Sequence, residues 1–207
     1  MFAKQILVIA VFINLSAIIS CGGPVEQAEQ PTATAAADQG KPHFKEARWG
    51  MTKEQIKSSE TAAIDTENTD ESMLYYKGRL LDRFDCKLFY CFSEESQLVA
   101  AGYEMDAGNT DFCGETNLTG EDLELANKMK AVDFFDEMKK GLISQYGQPS
   151  EDKRNWYSSD LEASCDYDAK IGYARDAVYF SAKWILGETI ITQELTKGDF
   201  KLNYIKR

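Results

Sequence analysis

Residues 84–93, Phe84-Asp85-Cys86-Lys87-Leu88-Phe89-Tyr90-Cys91-Phe92-Ser93, decide how the folded part of this chain is read. Phe84, Cys86, Leu88, Tyr90 and Phe92 alternate with Asp85, Lys87, Phe89 and Cys91. A period of two is what a strand with one buried face imposes. Residues 73–81 form a second candidate strand and 97–105 a third, the latter reached through the turn Glu94-Glu95-Ser96. Connections this short predict an antiparallel meander.

Upstream, Trp49-Gly50-Met51-Thr52-Lys53-Glu54-Gln55-Ile56 carries a helix start. Thr52 and Gln55 have capping-box spacing, and Met51 can staple onto Ile56. A short helix is predicted over 53–60, followed by a polar loop over 61–72. Downstream of a loop at 106–118, Leu125, Met129, Val132, Phe135, Met138, Leu142 and Tyr146 recur at intervals of three and four. That is one apolar stripe on a helix over 121–146, widened by Phe134 and stopped by Gly147 and Pro149. Thr119 is its N-cap candidate. Residues 154–158 around Trp156 predict a short strand, and 162–173 fit either a helical turn or a loop. Three further strands close the chain. Val178, Phe180, Ala182 and Trp184 alternate with polar neighbours; 189–195 is β-branched; Phe200, Leu202 and Tyr204 alternate to the end.

Helix, three strands, helix, three or four strands is an α+β order. It predicts antiparallel sheet with helices packed on one face, as two tandem helix-plus-three-strand units (43–118 and 119–207) or one merged sheet. The layout is similar to the β-lactamase-inhibitor-protein-like fold and to the small lipoprotein of the outer-membrane β-barrel assembly machinery. The helix ending Tyr146-Gly147-Gln148-Pro149, with Trp156 soon after, also resembles such proteins. The resemblance covers the architecture of residues 45–207 and carries over no binding residue.

The amino-terminal segment has a separate character. Lys4 is the sole charge in residues 1–20, and Ile6 to Ile19 is apolar apart from Asn14 and Ser16. A membrane-spanning helix needs roughly 20 apolar residues, and this run stops at Ser20-Cys21-Gly22-Gly23. A secretory signal is therefore expected over 1–20. Ile18-Ile19-Ser20-Cys21 resembles the lipobox of bacterial lipoproteins. That resemblance implies cleavage before Cys21, a diacylglycerol on its thiol and acylation, typically with palmitate, of the new amine. Two or more acyl chains make membrane attachment durable. Gly22 after the cysteine implies an outer-membrane location facing the periplasm. An ordinary cleavable signal with an incidental Cys21 is the alternative. Residues 22–42 (GGPVEQAEQPTATAAADQGKP) hold no aromatic and one branched apolar residue, Val25. With Cys21 they predict a disordered tether, spanning roughly 25 Å as a flexible coil. Residues 43–207 are left to fold.

The net charge of −11 disfavours phosphate backbones, so no nucleic-acid partner is expected. Four cysteines follow Cys21: Cys86, Cys91, Cys113 and Cys165. Outside the cytoplasm an even count predicts two disulfides. Cys86 and Cys91, five residues apart on one strand, stand about 17 Å apart, beyond the roughly 7 Å that a disulfide allows between Cα atoms. Two connectivities remain: Cys86–Cys113 with Cys91–Cys165, or Cys86–Cys165 with Cys91–Cys113.

Catalytic chemistry finds little support. The single histidine, His43, adjoins the tether, so histidine-based triads and metal sites lack their residues. No phosphate-binding glycine loop occurs. Asp65-x-Glu67-x-x-Asp70-Glu71 and Asp166-x-Asp168 are acidic loops without the EF-hand offsets. Neither cofactor nor metal is expected. The sequence points to a lipid-anchored, non-catalytic binding or assembly module with an envelope-protein partner docking on an exposed sheet edge. The alternatives are a small-ligand or ion binder with a cavity between helix and sheet, or an acid-only hydrolase.

Overall fold

The structure is a computed structural model that describes residues 43–65, 69–114, 116–166 and 168–207. The signal, Cys21 and the tether lie outside the described residues. Elements run in the order α1 (Lys53–Ser59), β1 (Met73–Leu80), β2 (Phe84–Phe92), β3 (Leu98–Asp106), α2 (Gly120–Tyr146), β4 (Glu151–Trp156), α3 (Ser159–Ser164), α4 (Ala169–Ala174), β5 (Val178–Leu186), β6 (Thr189–Thr196) and β7 (Asp199–Lys206).

The strands form one antiparallel sheet in the order β1-β2-β3-β7-β6-β5-β4. Of the two arrangements left open by the sequence, the merged one is realised. The last strands of the two halves, β3 and β7, pair from Ala100↔Ile205 to Asp106↔Asp199. Gly102 permits this join: a Cβ there would meet the Leu202 carbonyl oxygen at 2.2 Å. Residues 43–118 and 119–207 therefore contribute to a single sheet.

The capping box at α1 forms as expected, with Thr52 Oγ1 accepting from the Gln55 N–H and Gln55 Oε1 accepting from the Thr52 N–H. In α2 the buried stripe is Ala131, Val132, Phe134, Phe135 and Leu142. Phe134 widens the stripe. Leu125 does not join it and stays 44 % exposed. Thr119 takes the N-cap position without a side-chain bond, and Gly147 (φ 82) ends the helix. Phe134 meets Phe200 at 4.9 Å between ring centroids and Phe135 meets Phe180 at 5.6 Å. Trp184, also buried, donates its indole N–H to the Gly147 carbonyl at 2.9 Å, tying the end of α2 to the sheet. Burying one such aromatic contributes roughly 1.5–3 kcal/mol. Gln193 sits fully buried under α2 and donates to the Phe135 carbonyl at 2.7 Å.

Two sequence readings are refined. The strand around Trp156 begins earlier, at Glu151, because Glu151–Trp156 matches Lys183–Val178 residue for residue. The ambiguous 162–173 stretch contains parts of two short helices, α3 and α4, capped by Ser158 and Asp168 respectively. Gly172 in α4 touches the Trp156 ring closely enough that a Cβ would overlap it at 2.4 Å.

Candidate functional site

Helix α2 packs on β5 and β6, and α4 on β5 and α2. Ile56 of α1 and Phe44 join the same core through Tyr90 and Leu98. All of these lie on one face of the sheet. Among the described residues, no helix crosses the other face. Its side chains fall into rows set by the strand register. The first row, Met73, Cys91, Ala100, Ile205, Ile190 and Ile185, crosses six strands and is apolar throughout. Ile185 is 47 % exposed and Ile205 38 %. In the second row Phe89 covers Gly102, whose missing Cβ leaves its ring room, and lies 6.4 Å from the Tyr75 ring. The third row alternates in charge across β2, β3, β7 and β6: Lys87, Glu104, Lys201, Glu194. Glu104 and Lys201 form an ion pair at 3.5 Å.

The fourth row is mostly acidic, with Arg79 of β1 paired to Asp85 at 3.4 Å. Asp85, Asp106 and Asp199, with Glu104, Lys87 and Lys201, line an open concavity of about 370 Å³. The Asp106 carboxylate accepts from the Asn109 side chain (2.7 Å) and backbone N–H (2.9 Å), which hold it below the usual carboxylate range. It closes a turn and is not free to take a ligand. Among the described residues, no three His, Cys, Asp or Glu side chains converge as a metal site would need.

The acidic loops singled out in the sequence are likewise occupied by their own backbone. Asp70 accepts from the N–H groups of Ser72 and Met73, and Asp168 caps α4 by accepting from Lys170 and Ile171. Glu67 lies outside the described residues. His43 is no base in waiting: its Nδ1 accepts from the Trp49 N–H at 3.1 Å, its Nε2 contacts Glu188 at 2.9 Å, and its ring stacks on Trp49.

The disulfide expectation is corrected. Cys86, Cys91, Cys113 and Cys165 are all free. Both connectivities required Cys165 to reach a cysteine on β2. Cys165 ends α3, which packs on β4 and α4, at the opposite side of the sheet. Four strand spacings separate β2 from β5, about 19 Å, and no disulfide spans that. Burial pushes the Cys86 thiol up to about 11, helped by neighbouring Asp85. Burial and Asp70 push Cys91 up as well. Both are neutral thiols at physiological pH and poor nucleophiles.

One buried ionised group was not foreseen. The Glu60 side chain, 3 % exposed, accepts from Lys45 Nζ at 2.7 Å and from the Tyr90 hydroxyl at 2.6 Å. It also accepts from the N–H groups of Thr61 and Ala62 at 2.9 Å. Burial alone would raise its pKa; the bonds from Lys45, Tyr90 and Ala62 outweigh that and lower it. Beside it, Phe44 inserts among Tyr90, Tyr103 and Tyr204, with centroids 4.9–5.8 Å away. This group ties the first described residues to the sheet and to the end of α1.

Between helix and sheet, Phe135, Phe180, Trp184 and Leu195 are buried in one core cluster. Sheet edges are poor docking surfaces. Residues 63–65 run along β1, with the Asp65 N–H donating to the Tyr75 carbonyl and the Lys77 N–H to that of Ala63. At the other side β4 exposes Asp152, Lys153 and Arg154, charges that discourage strand addition. The open face is the candidate site. It left a trace in the sequence: Ile185, Ile190 and Ile205 each sit next to a core residue and break the alternation.

Among the described residues, no helix is long and apolar enough to cross a membrane. No family model, curated protein or solved structure matches this chain.

Proposed function

We propose that this chain is a lipid-anchored protein of the cell envelope, attached through Cys21, whose α+β domain is a non-catalytic docking or assembly module. In this reading the signal is removed, acyl chains hold the protein in the outer membrane facing the periplasm, and the domain recruits an envelope protein. The observation that carries it is the uncovered sheet face, with its apolar row six strands wide and Ile185 and Ile205 exposed. A contiguous apolar strip rimmed by charges marks an interaction surface on a folded domain. Asp70, Asp106, Asp168, Glu60 and the histidine, by contrast, are engaged in caps, turns and ion pairs.

Two measurements test the proposal. Cys21→Ala should abolish incorporation of labelled palmitate and release the protein from the membrane fraction. A photo-crosslinking residue in place of Ile205 should capture protein in intact cells, whereas the same residue in place of Leu161, outside that row, should not. Unchanged membrane retention of Cys21→Ala, or equal capture at both positions, would overturn it.

A further inference from the structure

The open face is self-complementary, and we propose that it docks a second copy of this chain. The inference rests on the reading of that face as a docking surface and names its occupant. Consider a two-fold axis running along the strands between β3 and β7. It lays one sheet on another with β3 over β7, β2 over β6 and β1 over β5, the aligned packing that two sheets adopt about 10 Å apart. In the apolar row Ala100 then meets Ile205 of the copy, Cys91 meets Ile190, and Met73 meets Ile185.

The charged row carries the argument further. The same axis sets Glu104 against Lys201 and Lys87 against Glu194, each contact occurring twice. Each of these four charges meets its opposite, while Lys77 of β1, in register with Lys87, meets the uncharged Ser181. Among the described residues, Lys87 and Glu194 have no ion pair within their own chain, so the second copy supplies one. The acidic row opposes the arrangement, because Asp106 faces Asp199. It lies at the end of the face away from the apolar row. The six strands that face each other span about 24 Å and the four rows about 20 Å, an overlap of about 500 Å² per partner before side-chain relief is counted, at the low end for a specific interface.

Chain direction supports the same occupant. His43, where the described chain begins, contacts Glu188 in the β5–β6 turn, at the apolar end of the face. A two-fold axis along the strands leaves both copies pointing the same way. Both copies therefore present His43 at one end, an arrangement compatible with two anchors in one bilayer.

The test uses the full chain in detergent, with mass read by light scattering. The wild type should be a dimer. Lys87→Glu sets a second carboxylate against Glu194, and Glu194→Lys sets a second ammonium against Lys87, so each variant should dimerise about tenfold more weakly or worse. Mixed, the two variants restore opposite charges at both contacts and should pair with each other. Asp199→Asn should tighten the wild-type dimer. A wild-type monomer, or a mixture of the two variants that forms no heterodimer, overturns the second copy. Photo-crosslinking from position 190 in cells separates this from the broader reading. A product of twice the chain mass supports the dimer. A product with a different envelope protein overturns it and leaves the docking surface standing. No product overturns both.

Discussion

Glu60→Gln is the substitution that tests most sharply how the start of the domain is held. Glutamine keeps the shape and one carbonyl acceptor for the Thr61 and Ala62 N–H groups, but removes the charge. The Tyr90 hydroxyl then loses a charged acceptor in a buried site, worth about 1.5–3 kcal/mol. The Lys45 ammonium is 37 % exposed, so solvent screens its share to about 1 kcal/mol or less. A total near 2–4 kcal/mol follows. At about 2–4 °C per kcal/mol for a domain of this size, the melting temperature at pH 7 should fall by roughly 5–15 °C. The pH dependence gives a second reading. The folded carboxyl titrates below its ordinary value of 4.5, so the ionised form stabilises fully above that pH. The contribution is lost as pH falls through the folded value. Circular-dichroism melts of wild type and variant should therefore begin to converge as pH falls below about 4.5 and meet only below the lower folded value. Equal melting temperatures at pH 7, or a gap that persists undiminished in acid, would refute the reasoning. Tyr90→Phe should have a smaller effect than Glu60→Gln, and Lys45→Met a smaller one still.

Trp184→Ala and Phe135→Ala should each cost about 3–5 kcal/mol in chemical denaturation, as large buried aromatics do, whereas Trp184→Phe should lose mainly the bond to Gly147, about 1 kcal/mol. Thiol titration of the unfolded protein without reductant should count Cys86, Cys91, Cys113 and Cys165 as free, and reductant should leave the melting temperature unchanged; a fall on reduction would restore the disulfides. Gly102→Ala should destabilise by more than about 3 kcal/mol or prevent folding, because the Leu202 carbonyl cannot retreat without breaking the β3–β7 ladder.

Elements with one wet and one dry face were legible from their residues. The alternation at 84–93, the three-and-four spacing of Val132, Phe135 and Leu142, and the Thr52–Gln55 pair each encode local geometry directly, and each element formed where expected. What the sequence could not give was non-local. Pairing of β3 with β7 brings together strands about a hundred positions apart, and only Gly102 hints at it. The disulfide inference failed for the same reason: cysteine count and spacing along one strand say nothing about strand order, which puts Cys165 across the sheet from Cys86 and Cys91. Glu60 read as the end of a short helix because its partners, Lys45 and Tyr90, lie on either side of it in the chain. The open face was half visible, through isoleucines on the side of each strand where polar residues were expected. Nothing local shows that, among the described residues, no helix covers them.

The clamp around Phe44 bears on how this domain withstands tension. A pull transmitted along the chain from its amino-terminal side meets His43 against Glu188, Phe44 among three tyrosines, and Lys45 on Glu60 within three consecutive residues. Those contacts lead separately into a β-turn, the sheet and the first helix. The load is thus divided among three parts of the domain at the first described residues.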